Sequence, residues 1–312
     1  MEKAPETTNP LTLSKAIKRF ETKLRADRRS PHTVSSYLRD LGQMERFFTN
    51  RLHHPEVGAV RLSGITSEAL NKFLTSPAAT CTPDGSARSE GTINKIKVSM
   101  KSFFNWLSDS GHLRPNPAAG IRIRHIERPA PDTLTDVEKK KLLKAIKNTR
   151  GKKAFRDFAI FSLFLNTGIR ISELVHLDID DVNLPERKIT ILVKGGHTDT
   201  RFLNARARRT LDAYLKKRRR MPVEPRALFV SNQERRISVR QVQRSLDEWL
   251  ARAGIEKKIT VHGLRHTFAT NLLERTGNLA LVQQSLGHRH IATTTIYAHV
   301  PSEELQNAME SL

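Results

Sequence analysis

The sequence predicts a mainly α protein: an N-terminal helical bundle, then an α+β unit with a small antiparallel sheet. Three observations predict it. Apolar residues recur at helical spacing through most of the 312 residues. One pair of β-branched runs, in "KITILVKGGHTDTRFL", flanks Gly195-Gly196 and reads as a hairpin or short meander. Four prolines in "SGHLRPNPAAGIRIRHIERPAPDTL" divide the chain. The resulting division is a helical domain over 11–111, a linker over 112–132 and a second domain over 133–312.

The elements follow in order. Residues 1–10 carry no pattern and are expected to be disordered. Leu13, Ala16, Ile17, Phe20 and Leu24 share one helical face. Ser30 and Pro31 fit the N-cap and first position of a second helix, lined by Val34, Tyr37, Leu38, Leu41, Met44, Phe47 and Phe48. Thr66 caps a third, with Ile65 and Leu70 placed as a staple. Ile93 through Leu107 give a fourth, and such a count suits a small bundle. Beyond the linker, Thr135 and Glu138 form a capping box, and Gly168 stops a strongly apolar helix. After the hairpin, Ser238 and Gln241 box a helix with Val239, Val242, Leu246, Trp249 and Leu250 on one face.

Charge narrows the function. Lys and Arg number 54 against 32 Asp and Glu, a net +22, spread along the whole chain. Such a field attracts a polyanion, and nucleic acid fits best because neutralised phosphates release counterions. A solvated basic surface or an anionic membrane is the alternative, but no basic amphipathic anchor supports the latter. No run of eighteen apolar residues and no secretory h-region is present, and Cys81 is the single cysteine. A cytoplasmic protein without cysteine-based zinc sites or internal disulfides is expected.

Several residues invite chemistry. Arg170, at a helix start after the Gly168 turn, could present its fork to a phosphate, with Glu173 as a brace; a surface pair is the plain alternative. Lys194, before Gly195-Gly196, could offer a proton to a leaving oxygen or be an ordinary turn lysine. In "HGLRH", His262 and Arg265 project from one side of a helix start, a setting for an oxyanion, unless they are a core His and a surface Arg. His262 and His266 have the spacing of a metal pair but lack the glutamate of HExxH, so no metal is expected. His288 follows a helix-ending Gly, and Tyr297 lies nine residues on. A phenol needs a base or a cationic neighbourhood to act as a nucleophile; otherwise it is a partly buried aromatic.

Taken together, "TGIRISELVHLDIDDV", "VKGG…R", "HGLRHTFATNLL" and "QSLGHRHIATTTIYAHV" resemble, in order, the catalytic boxes of the tyrosine recombinases, the phage integrase family. The first ~110 residues resemble its helical, SAM-like core-binding DNA-binding domain, in a simple Xer-like or Cre-like layout. The resemblance implies a site-specific DNA recombinase that cuts and rejoins DNA through a 3′-phosphotyrosine, without ATP, metal or other cofactor. Tyr297 would be the nucleophile. Arg170 and Arg265 would clamp the non-bridging oxygens, and Lys194 would protonate the leaving 5′-oxygen. His262 would assist proton transfer, His288 would hydrogen-bond the phosphate, and Glu173 would support the site. The loop "GGHTDTRFLN" departs from the family's "KGxKxRxvP" by lacking its second lysine and closing proline.

The implied partners are double-stranded DNA with inverted-repeat core sites and further copies of the chain in a homo-tetramer. The tail "VPSEELQNAMESL", with Leu305, Met309 and Leu312 at i, i+4 and i+7, resembles the helix this family docks into a neighbouring protomer; docking on its own domain is the alternative. Chromosome dimer resolution, transposition and phage or element integration all remain open roles. A type IB topoisomerase-like nicking and rejoining without synapsis, and a DNA-binding protein that never cleaves, are the alternative functions.

Overall fold

A computed structural model describes residues 11–51, 60–126, 131–193, 196–219 and 226–287. The expectations for residues 1–10, Lys194, His288, Tyr297 and the tail 301–312 lie outside these described residues. The protein is mainly α with one small antiparallel sheet, and it divides into two compact units, residues 1–127 and 128–312.

The first unit is a helical bundle of α1 (Leu13–Ala26), α2 (Pro31–Arg51), α3 (Ser67–Thr75), the single turn α4 (Pro77–Thr80) and α5 (Glu90–Asp109). Its caps are those the sequence signals: the backbone N–H of Thr33 donates to Ser30 Oγ at 3.2 Å, and that of Ala69 to Thr66 Oγ1 at 3.1 Å. Phe20, Met44, Phe73, Phe103 and Phe104 fill the core. Phe20 meets Phe103 edge-on at 5.4 Å.

The stretch read as a linker does not hang free over its first half. Leu113, Ala118 and Ile121 join the first unit's core. Lys101 Nζ donates to the Ile121 carbonyl at 2.9 Å, and the Asn94 amide donates to the Arg124 carbonyl at 2.7 Å. The prolines end helix there without preventing burial, because three apolar side chains still find the bundle.

The second unit comprises α6 (Asp136–Asn148), α7 (Lys152–Thr167), α8 (Ile171–His176), β1 (Val182–Asn183), β2 (Lys188–Leu192), β3 (Thr198–Phe202), α9 (Ala205–Arg218), α10 (Val239–Arg252), α11 (Val261–Thr276) and α12 (Leu279–Leu286). The sheet order is β1-β2-β3, all antiparallel, with Ile189 opposite Arg201 and Thr190 opposite Thr200. The apolar α7 is the central helix, packed by α6, α9 and α11. Buried over most of its surface, it carries nearly continuous hydrophobicity from Phe158 to Leu165. Both expected capping boxes form, Thr135 with Glu138 and Ser238 with Gln241. Val239 departs from its expected inner position and is 36% exposed. It is the first residue of α10, where the helix face has only begun to meet the core.

A buried polar network ties α7 to α10. Asp157, fully buried, accepts from Arg156 Nε and from Trp249 Nε1, each at 2.8 Å. Arg156 also donates to the Val230 carbonyl at 3.0 Å. Every oxygen of that carboxylate thus has a partner, as burial of a charge requires.

Candidate active site

The site is organised by the turn after α7. Gly168 ends the helix in the left-handed region, φ 60°, which a glycine adopts without strain. A Cβ there would come within 2.4 Å of Phe268 Cδ1 and 2.9 Å of Leu286 Cδ2, so the turn is pressed against α11 and α12. Two residues later Arg170 caps α8. Its backbone N–H donates to Glu173 Oε2 at 2.8 Å, and its guanidinium donates to Glu173 Oε1 at 2.7 Å. Glu173 is buried, while the Arg170 side chain is 37% exposed. The Arg170–Glu173 pair that both readings of the i, i+3 spacing share is present, with one carboxylate holding the backbone and the side chain of the arginine.

Thr260 starts α11 by accepting from the Gly263 N–H at 3.0 Å. One turn on, Arg265 is 1% exposed. Its guanidinium donates to the Gly168 carbonyl at 2.5 Å and to the Leu286 carbonyl at 2.7 Å. This reverses the plain alternative for "HGLRH": the arginine lies in the core, and His262 is exposed. Such a side chain is fixed in direction by its carbonyl partners, as a preorganised clamp requires.

His262 shares this neighbourhood. Although the residue is exposed as a whole, its ring is partly enclosed by protein; this desolvation holds its pKa below the ordinary 6.5, and the positive charges of Arg265 and Arg170 push it the same way. The ring is therefore neutral at pH 7 and can accept a proton. The His266 ring meets it edge-on at 4.6 Å. Arg170, Glu173, His262 and Arg265 are thus brought together.

One residue of this region carried no assigned role in the sequence. Arg201 is the buried side chain of β3, 2% exposed. It pairs with Asp199 at 2.6 Å and donates to the Leu286 carbonyl at 3.2 Å. The available signal was the arginine of "VKGG…R".

The chain matches the sequence profile of the phage integrase family over residues 132–304, and that of the phage integrase N-terminal SAM-like domain over residues 17–111. The chain belongs to the phage integrase family. It is 32% identical to the tyrosine recombinase XerC of Vibrio parahaemolyticus, over 99% of this chain and 96% of that protein. To the tyrosine recombinase XerC of Caldanaerobacter subterraneus it is 35% identical, over 90% of this chain and 81% of that one. Its fold is similar to that of the XerH site-specific recombinase in a pre-cleavage complex with difH substrate. There the identity is 24% and the TM-score 0.71, over 95% of this chain and 84% of that one. Among the described residues no helix is long and apolar enough to cross a membrane.

Proposed function

We propose that this chain is a site-specific DNA recombinase that exchanges strands through a covalent 3′-phosphotyrosine. The observation that carries the reading is the buried Arg265, aimed by two carbonyls beside Arg170 and a neutral His262. Two guanidiniums near one histidine would suit the charge that gathers on a phosphate oxygen in the transition state.

In this reading Tyr297 Oη attacks the scissile phosphorus while His262 takes its proton. The bond to the 5′-oxygen breaks, Lys194 protonates that oxygen, and Arg170, Arg265 and His288 hold the non-bridging oxygens. Attack by the 5′-hydroxyl of a second strand reverses the step and releases Tyr297. Phosphoester bond energy is retained, so no nucleotide or metal is consumed. The other two tyrosines are poor candidates. Tyr214 is buried, which pushes its hydroxyl up to about 12. Tyr37 stacks on Phe20 in the first unit at 6.3 Å.

Double-stranded DNA with inverted-repeat core sites is the partner, attracted by the net charge of +22. Four copies would assemble on two sites, linked by segment 301–312. Similarity to XerC proteins favours chromosome dimer resolution over transposition or phage integration. The division into a DNA-binding domain over 11–111 and a catalytic domain over 133–312 belongs to the same reading.

The test is covalent trapping. DNA that becomes attached to the protein in cells is sequenced to obtain the site, and a nicked duplex carrying it is then incubated with purified protein. An adduct that disappears in Tyr297→Phe is expected; an adduct that persists overturns the nucleophile assignment. Strand exchange between two labelled duplexes separates recombination from nicking and rejoining alone, which would give adduct without exchange.

A further inference from the structure

We infer that Arg201 is a positioning residue for the cleavage step, acting through the Leu286 carbonyl on Arg265. This rests on the reading of Arg265 as a phosphate clamp.

The Leu286 carbonyl is the last of α12, and it accepts two guanidinium N–H groups, from Arg265 at 2.7 Å and from Arg201 at 3.2 Å. A carbonyl oxygen has two lone pairs, so both bonds can form together. The helix end adds negative potential, which favours cations there. Arg201 is held in turn by Asp199 at 2.6 Å and by the Thr200 carbonyl at 3.1 Å. The next residue, Gly287, accommodates this approach. A Cβ there would lie 2.6 Å from Arg201 Nη2 and 2.7 Å from Asp199 Oδ2, and its φ of 63° suits glycine.

Packing alone does not explain the arginine. Its position on β3, opposite Ile189, faces the core, where an apolar side chain would avoid the cost of burying a charge. Among the described residues Arg201 Nε is buried without a hydrogen-bond partner, a further cost. What the guanidinium gains is a rigid strut from the hairpin to the end of α12. In the sequence Arg201 lies seven residues after Lys194, and Leu286 lies two residues before His288. One carbonyl therefore ties the β3 strand to Arg265 at the point where the chain runs on toward His288.

The experiment uses full-length protein and the nicked duplex described above, in two forms. One has the natural scissile phosphodiester. The other has a methylphosphonate, whose neutral phosphorus centre carries less negative charge for an arginine clamp to balance. Arg201→Met keeps the bulk and removes the donors. With DNA affinity unchanged, it should slow adduct formation on the phosphodiester about 10- to 100-fold, the scale of a small misplacement of a catalytic group. On the methylphosphonate its deficit should shrink to within about threefold of the unsubstituted protein. A deficit of equal size on both substrates overturns the proposal, because a merely structural loss does not depend on phosphate charge. No deficit on the phosphodiester also overturns it. Where Arg201→Met does not fold, Asp199→Asn at the more exposed end of the ion pair is read the same way. Arg265→Ala serves as the control for the underlying reading. If methylphosphonate does not relieve that variant, the clamp assignment fails, whatever Arg201 does.

Discussion

Glu173 holds Arg170 twice, accepting from its backbone N–H at 2.8 Å and from its guanidinium at 2.7 Å. The buried carboxylate thereby joins the start of α8 to the direction of a side chain that points outward. Glu173→Ala removes both acceptors and should cost about 1–3 kcal/mol of stability, chiefly from the stranded N–H. The ion pair itself adds little, because Arg170 is partly solvated. Glu173→Gln keeps an acceptor for the backbone and should recover most of the stability, while adduct formation still falls about tenfold or more as the arginine loses its fixed direction. Thermal melting and single-turnover cleavage measure the two effects separately.

His262 supplies a pH dependence. Its folded pKa lies below 6.5, first from desolvation and then from Arg265 and Arg170. The unfolded chain therefore binds more protons than the folded one in the window below 6.5. The contribution to stability is complete above that value and is lost as pH falls through the folded pKa. Cleavage should decline over the same acid range as the ring becomes cationic and can no longer accept the phenol proton. His262→Gln should lower the rate by about 10²–10⁴. It should also remove the acid limb due to this residue from both the rate profile and the melting profile. An unchanged acid limb in both would mean that another group is titrating.

The Arg156–Asp157–Trp249 network lies in the core of the second unit. Asp157→Ala leaves a buried guanidinium without its carboxylate and should cost about 3–5 kcal/mol. In a unit of this size the melting midpoint should fall by about 6–20 °C. Trp249→Phe loses one hydrogen bond and should cost about 1–3 kcal/mol. Neither variant should alter the pH profile of cleavage when assayed well below its melting point.

In the first unit, Ser99 Oγ donates to Asp40 Oδ2 at 2.8 Å between α5 and α2, with both residues buried. Ser99→Ala should destabilise this unit by about 1–3 kcal/mol. The midpoint of its unfolding transition, followed by tryptophan fluorescence of Trp106, is the measurement.

Cleavage should proceed at an undiminished rate in EDTA, because Arg170 and Arg265 would provide the charge stabilisation that a metal supplies elsewhere. Loss of the covalent adduct on chelation, restored by a divalent cation, would contradict this.

Much of this was legible because it is local. Helical spacing, the Thr135–Glu138 box and the Arg170–Glu173 pair all act over three or four residues. The burial of Arg265 was not legible, since one anchor is the Gly168 carbonyl 97 positions away and every residue has a carbonyl. Arg201 was hidden for a related reason: alternation in a short strand does not announce an inward cation. The packing of Leu113, Ala118 and Ile121 was obscured by the prolines around them, which report on backbone geometry and not on burial.

Gly168 has one more consequence. A Cβ on Gly168 would press into the Phe268 and Leu286 side chains in a backbone conformation that suits glycine, and the Gly168 carbonyl is a seat for Arg265. A Gly168→Ala allele would retain every residue named for the chemistry and still strain the turn that seats Arg265. Scanning related genomes for intact arginines, histidines and tyrosine would score such a gene as functional. The codon for this one small residue therefore belongs beside those for the proposed chemical residues when a copy is judged intact.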